Sequence, residues 1–114
     1  MKGSCHCGAI AFEVEGSPGP VLECNCSHCQ RKGFLLWFVP RTRFRLADPE
    51  APMTKYFFNK HFIEHRFCPT CGTQPFAFAT DPKTGVPTAA INVRCLEDID
   101  LASLQRMPYD GRST

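Results

Sequence analysis

Seven cysteines in three tight groups limit, more than anything else, how this chain can fold. They are Cys5 with Cys7, then Cys24, Cys26 and Cys29, then Cys68 with Cys71. C-x-C and C-x-x-C spacings aim two sulfurs at one ion. The two pairs together supply the four thiolates of a closed tetrahedral site. Neither pair can fill that site alone, so a shared ion would staple the start of the chain to its second half. The triplet supplies three ligands and leaves one position for water or a substrate. The expectation is two zinc ions (Zn2+), one structural and one at a candidate reaction centre.

Disulfides are the competing reading, and they would be preferred in a small secreted protein. Residues 1–5 show no apolar export segment, and cysteines this close in sequence bridge poorly to one another. Metal binding in the cytoplasm is therefore expected. The 114 residues, 43% apolar with ten Phe, fit a single domain spanning 1–114. The longest apolar run, residues 34–39, is too short to cross a bilayer, so no membrane partner is expected. Seven thiolates and two divalent cations would shift the formal charge from +2 to −1. No global attraction to nucleic acid follows.

The local pattern is mostly strand, punctuated by Gly and Pro. Ile10, Phe12 and Val14 alternate with polar or small residues, as on a half-buried strand. Residues 21–23, 54–58, 62–67, 76–80 and 89–95 are further strand segments, and residues 16–20, 48–52 and 81–85 are turns or loops. The run 34–39 reads as a strand buried on both faces. If residues 41–46 are extended, Arg41, Arg43 and Arg45 share one face and could meet carboxylates. Residues 98–105, with Asp100 as cap, are the one place where a helix is expected. The fold class is thus all-β, with at most one short helix near the C-terminus.

Some residues near the clusters carry alternative readings. A fourth ligand for the triplet could come from His6, His28, His61, His65 or Cys95. His28, between two ligands, reads as a solvated loop residue and His61 as a surface residue. His65 reads as a core histidine donating to a carbonyl, or as a residue supporting the site. Cys95 reads as a buried small side chain, as a group near the second zinc, or as a reactive thiol with catalytic use.

These motifs resemble one family. The series Gly3-x-Cys5-x-Cys7-Gly8, Cys24-x-Cys26-x-x-Cys29-x-Arg31-x-x-Gly33, Phe67-Cys68-x-x-Cys71-Gly72 and Asn92-x-x-Cys95 is similar to that of the glutathione-dependent formaldehyde-activating enzymes. That family also includes centromere protein V. The resemblance implies a zinc-stabilised β-tent of packed antiparallel sheets. It implies a structural zinc on Cys5, Cys7, Cys68 and Cys71, and a catalytic one on Cys24, Cys26 and Cys29. The implied activity is that of a carbon–sulfur lyase or synthase, interconverting glutathione plus formaldehyde with S-hydroxymethylglutathione. Partners would be a small thiol such as glutathione and an aldehyde. Two other classes compete: a non-catalytic zinc-binding interaction module, and a thiol reductase using Cys95.

Overall fold

The computed structural model describes residues 1–59 and 62–113. Among them the strands, in chain order, are β1 (Lys2–Ser4), β2 (Ala11–Val14) and β3 (Val21–Cys24), followed by the helix α1 (Ser27–Lys32). Then come β4 (Leu36–Pro40), β5 (Phe44–Leu46), β6 (Thr54–Tyr56), β7 (Glu64–Phe67), β8 (Phe76–Thr80), β9 (Pro87–Asn92) and β10 (Arg106–Tyr109). A three-stranded sheet has the order β1-β2-β5, and a seven-stranded sheet the order β10-β3-β4-β9-β8-β7-β6. The protein is all-β with one short α-helix among the described residues, none of whose helices is long and apolar enough to cross a membrane.

The sheets meet on phenylalanine. Alternation along β2 turns Phe12 and Val14 inward, where both are buried. Phe12 stacks on Phe44 of β5 at 5.4 Å between ring centroids and meets the edge of Phe76 of β8 at 5.9 Å. Phe44 and Phe76 are 4.8 Å apart, as are Phe76 and Phe78. Four rings from two sheets thus form one cluster. Its edge-to-face geometry adds to the burial of large apolar surface.

Gly3 in β1 is held against this cluster. A Cβ there would lie 2.5 Å from Phe12 Cζ and 2.8 Å from the Cys95 carbonyl oxygen. The second obstacle is backbone and cannot rotate away. Gly3→Ala should therefore destabilise the protein by about 1–3 kcal/mol, the usual cost of overpacking. A thermal melt lowered by several degrees is the expected result, and an unchanged melt would show that this contact can relax.

Several expectations need correction. The run 34–39 is not buried on both faces: Trp37 and Val39 point inward, while Phe38 is 51% exposed because no layer covers that side. The three arginines do not form a row. Pro40 ends β4, and Arg41–Arg43 wind into a single 3-10 turn. Arg41 lies over the Phe78 ring, Arg43 donates to the Glu15 carbonyl, and Arg45 pairs with Glu13. Nor are the sheets wholly antiparallel, since β10 pairs in parallel with β3 from Arg106 beside Val21 to Tyr109 beside Cys24. Pro108 argues against a strand in the sequence but is tolerated here because β10 is an edge.

The helix also lies elsewhere. Asp100 does cap, accepting from Ala102 N at 3.2 Å, but only the 3-10 turn Leu101–Ser103 follows. Val21 N then takes the Gln105 carbonyl, and the chain leaves as β10. The true α-helix is the short segment inside the cysteine triplet. Likewise β9 ends before Cys95, because the Asn92 side chain accepts from Arg94 N and turns Val93–Cys95 into a 3-10 turn.

Candidate metal centres

All eight cysteines are free, and two groups of their sulfurs converge. The sulfurs of Cys5, Cys7, Cys68 and Cys71 lie within 4.8 Å of one another, as do those of Cys24, Cys26 and Cys29. Both groups can hold a metal ion.

The first group sits where β1 leaves one sheet and β7 leaves the other. Each strand ends in a tight turn that brings two cysteines round. Gly72, at φ 78°, closes one of them by donating its N–H to the Cys68 carbonyl at 2.8 Å. Cys5 and Cys68 are buried, and Cys5 Sγ accepts from Ile10 N at 3.4 Å. Cys7 Sγ stands 3.7 Å from Cys5 Sγ and 3.6 Å from Cys68 Sγ. Hydrogen bonds favour ionisation of two of these thiols, Cys71 and Cys68, whereas the Cys7 thiol is raised to about 11 with Cys68, Cys5 and Cys71 around it. The Thr73 hydroxyl, with backbone N–H groups, lowers the Cys71 thiol to about 5. Backbone N–H groups of Cys71 and Thr70 lower Cys68.

The second group is built by the start of α1. Cys24 is the last residue of β3, and its Sγ accepts from Cys26 N at 3.4 Å. Cys26 is the N-cap of the helix, with Sγ accepting from Cys29 N at 3.3 Å, so a thiol takes the place usually held by Ser or Asp. Cys29 lies one turn in and is buried. Gly33, at φ 71°, ends the helix by donating to the Cys29 carbonyl. Burial opposes ionisation of Cys26, but the Cys29 N–H and thiol outweigh it and its pKa is lowered. Burial, followed by its thiol neighbours, raises that of Cys29.

A segment with no foreseen role covers this cluster. Asn25 N donates to the Tyr109 carbonyl at 3.1 Å. Asn25 Nδ2 donates to Asp110 Oδ1 at 3.0 Å, and Arg112 N donates back to Asn25 Oδ1 at 2.9 Å. The Arg112 guanidinium reaches Gln30 Oε1. Gly111 is thereby laid against the sulfurs: a Cβ there would overlap Cys24 Sγ and lie 3.2 Å from Cys26 Cβ. Residues 109–113 form a strap across the triplet. The Asp110-Gly111 turn dipeptide was its only trace in the sequence.

Two cavities flank the strap. One of about 560 Å³ is bounded by Cys24, Cys29, Phe34, Arg94 and Tyr109, with Glu23 and Asp110 also in its wall. The other, of about 510 Å³, is bounded by Cys26, Gln30, Arg31, Phe58, Gly111 and Arg112. A third cavity of about 460 Å³, between Met1, Glu13, Arg43 and Arg45, has no cysteine in its lining. The triplet is the cluster with room beside it.

The other expected residues divide. Cys95 does not join the triplet. Its Sγ faces the Gln74 carbonyl at 4.0 Å, and burial, then the charges of Cys5 and Cys71, raise its pKa to about 11. His28 is not a solvated loop residue but a helical one. Its ring lies 4.2 Å from His65 and packs on Phe34, Phe58 and Tyr56. His65 is buried and meets the Gln74 amide at 3.1 Å through Nδ1, not a carbonyl. Burial, then His28 beside it, lowers the His65 pKa to about 4, so His65 stays neutral near pH 7, and burial lowers that of His28 as well. Among the described residues, His28 Nδ1 and His65 Nε2 are buried without a hydrogen-bond partner. His6 belongs to neither group of donors, and His61 lies outside the described residues.

Known proteins share this fold and this sequence pattern. The fold is similar to the crystal structure of a Rhodobacter sphaeroides protein from a structural genomics programme, at a TM-score of 0.79 and 31% identity. The match covers 95% of this chain and 98% of that one. The family model described as glutathione-dependent formaldehyde-activating enzyme matches residues 1–106, a span that includes every cysteine of both clusters. With the match running over nearly the whole chain, the protein belongs to the glutathione-dependent formaldehyde-activating enzyme family.

Proposed function

We propose that the protein is a zinc-dependent carbon–sulfur lyase that joins a small thiol to an aldehyde and releases them again, with S-hydroxymethylglutathione as the type of adduct. The observation that carries this reading is the triplet: three thiols converge beside two cavities, and among the described residues the group of mutually close donors ends at three. The donor set fits zinc. Sulfurs about 2.3 Å from a tetrahedral zinc lie about 3.8 Å apart. The measured 3.7 and 3.6 Å in the four-thiol cluster match that spacing.

Cys5, Cys7, Cys68 and Cys71 would hold the structural ion, and Cys24, Cys26 and Cys29 the one at the reaction centre. That second ion, when bound, supplies an open position that favours the thiolate form of an incoming thiol. In the reaction the thiol sulfur attacks the carbonyl carbon and a C–S bond forms. The C=O π pair moves onto the oxygen, which becomes a hydroxyl by taking the thiol's proton, and the reverse step returns both reactants. The chain's own part is to fix geometry. The β3 end and the α1 cap hold three sulfurs toward one point, and Phe34, Tyr109 and the strap narrow the access of water. Cys95, with its raised pKa beside the other cluster, stands outside this reaction centre. The reading implies a reducing compartment such as the cytoplasm, where these thiols stay available to metal.

Exchange between formaldehyde, glutathione and their adduct can be followed by NMR. The purified protein should accelerate it above the uncatalysed rate, and Cys26→Ser should return it to that rate. No acceleration by wild-type protein, together with no binding of glutathione, would sink the reading in favour of an interaction module.

A further inference from the structure

Three thiolates around a divalent zinc leave a local charge of −1, which repels an anionic thiol. Some nearby group must offset this if such a thiol is to enter. The two cavities beside the triplet differ in this respect. The one bounded by Cys24 and Cys29 holds a single arginine, Arg94, in a wall that also contains the carboxylates Glu23 and Asp110. The one bounded by Cys26 has Arg31 and Arg112 in its wall and, among the described residues, no carboxylate. The nearest acid in sequence, Asp110, lines the other cavity and is held by Ser113 and Asn25, with the Arg112 charge acting on it only after them.

The two arginines come from distant parts of the chain. Arg31 is set by the last turn of α1, where its Nη1 donates to the Ser27 carbonyl at 3.0 Å. Arg112 is set by the strap, through its own N–H to Asn25 and its guanidinium to Gln30. Each uses only part of its five donors in these contacts, and both side chains are exposed. Fork-shaped guanidiniums suit carboxylates, and two of them more than cancel the local charge of the triplet.

Building on the function proposed above, we infer that Arg31 and Arg112 form a carboxylate subsite, so that the thiol this site takes is an anionic one entering from the Cys26 side. The arginines are recognition residues and leave the reacting atoms alone. Arg41, Arg43 and Arg45 have no part in it, since none of them lines that cavity.

The test is calorimetric titration of the metal-loaded protein with glutathione and with glutathione diethyl ester, whose two carboxylates are blocked. Wild-type protein should prefer glutathione. The double variant Arg31→Gln/Arg112→Gln should bind glutathione about tenfold to a hundredfold more weakly, the usual effect of losing charge-assisted hydrogen bonds. Its affinity for the ester should stay within about threefold, because the ester makes no such bond. Arg31→Lys/Arg112→Lys keeps the charge and should recover much of the loss. Equal weakening of both ligands would mean that the arginines only support the fold, and would overturn the inference. So would wild-type protein that binds the ester as tightly as glutathione, a result that leaves the lyase reading standing. Binding of neither ligand by wild-type protein would remove both.

Discussion

Cys68→Ser is expected to cost the protein its cooperative fold, while Cys26→Ser leaves a folded chain. Cys68 is buried in the cluster that joins the end of β1 to the end of β7, and thus one sheet to the other. A structural metal contributes free energy on the order of the whole net stability of a small domain, roughly 5–15 kcal/mol. Losing one of its four thiolates should remove most of that. The triplet joins residues only five apart, so its loss releases little chain. Thermal melts, read with elemental analysis, check the pair. Wild-type protein should carry about two zinc ions, and Cys26→Ser about one, with a cooperative melt. Equal destabilisation by the two substitutions would instead make both clusters structural.

The second large effect is expected at Gly111. Valine there would put its Cβ onto the Cys24 sulfur, with the Cys26 Cβ close behind. Either the strap lifts or Cys24 turns away, and the second choice spoils the ligand set. Gly111→Val should therefore lose about one metal ion per chain while the phenylalanine cluster keeps the melt within a few degrees. Full metal content in the variant would show that the strap yields first. Glutathione binding, measured alongside, would then show whether an open strap still makes a site.

The sequence carried much of this and hid the rest for identifiable reasons. The metal clusters were legible because ligand spacing is local and chemically specific, as in Cys68-Pro69-Thr70-Cys71. The strands of Phe12 and Phe76 were legible from alternation and composition. The helix 27–32 was not, because six residues are too few for an apolar period and a cysteine serves as its cap. Arg31, Lys32 and Gly33 were its readable stop signal. Strand β10 was hidden by Pro108 and by its lack of buried side chains, since what holds it is backbone pairing to β3. Beyond the turn dipeptide Asp110-Gly111 the strap could not be read, because its partners Asn25 and Gln30 are more than 80 residues away.

That separation sets an order of assembly. Asn25 meets Arg112 87 residues downstream, so a ribosome adding 5–20 residues per second needs about 4–17 s between them. Through that interval Cys24, Cys26 and Cys29 are already made but have no strap above them. Cys7 likewise waits for Cys68, 61 residues on. The growing chain thus passes through a stage in which the triplet is complete in ligands, local in sequence and open to the surroundings. A metal could be loaded there before the four-thiol cluster exists, and until then its thiols, like those of Cys5 and Cys7, are open to any oxidant.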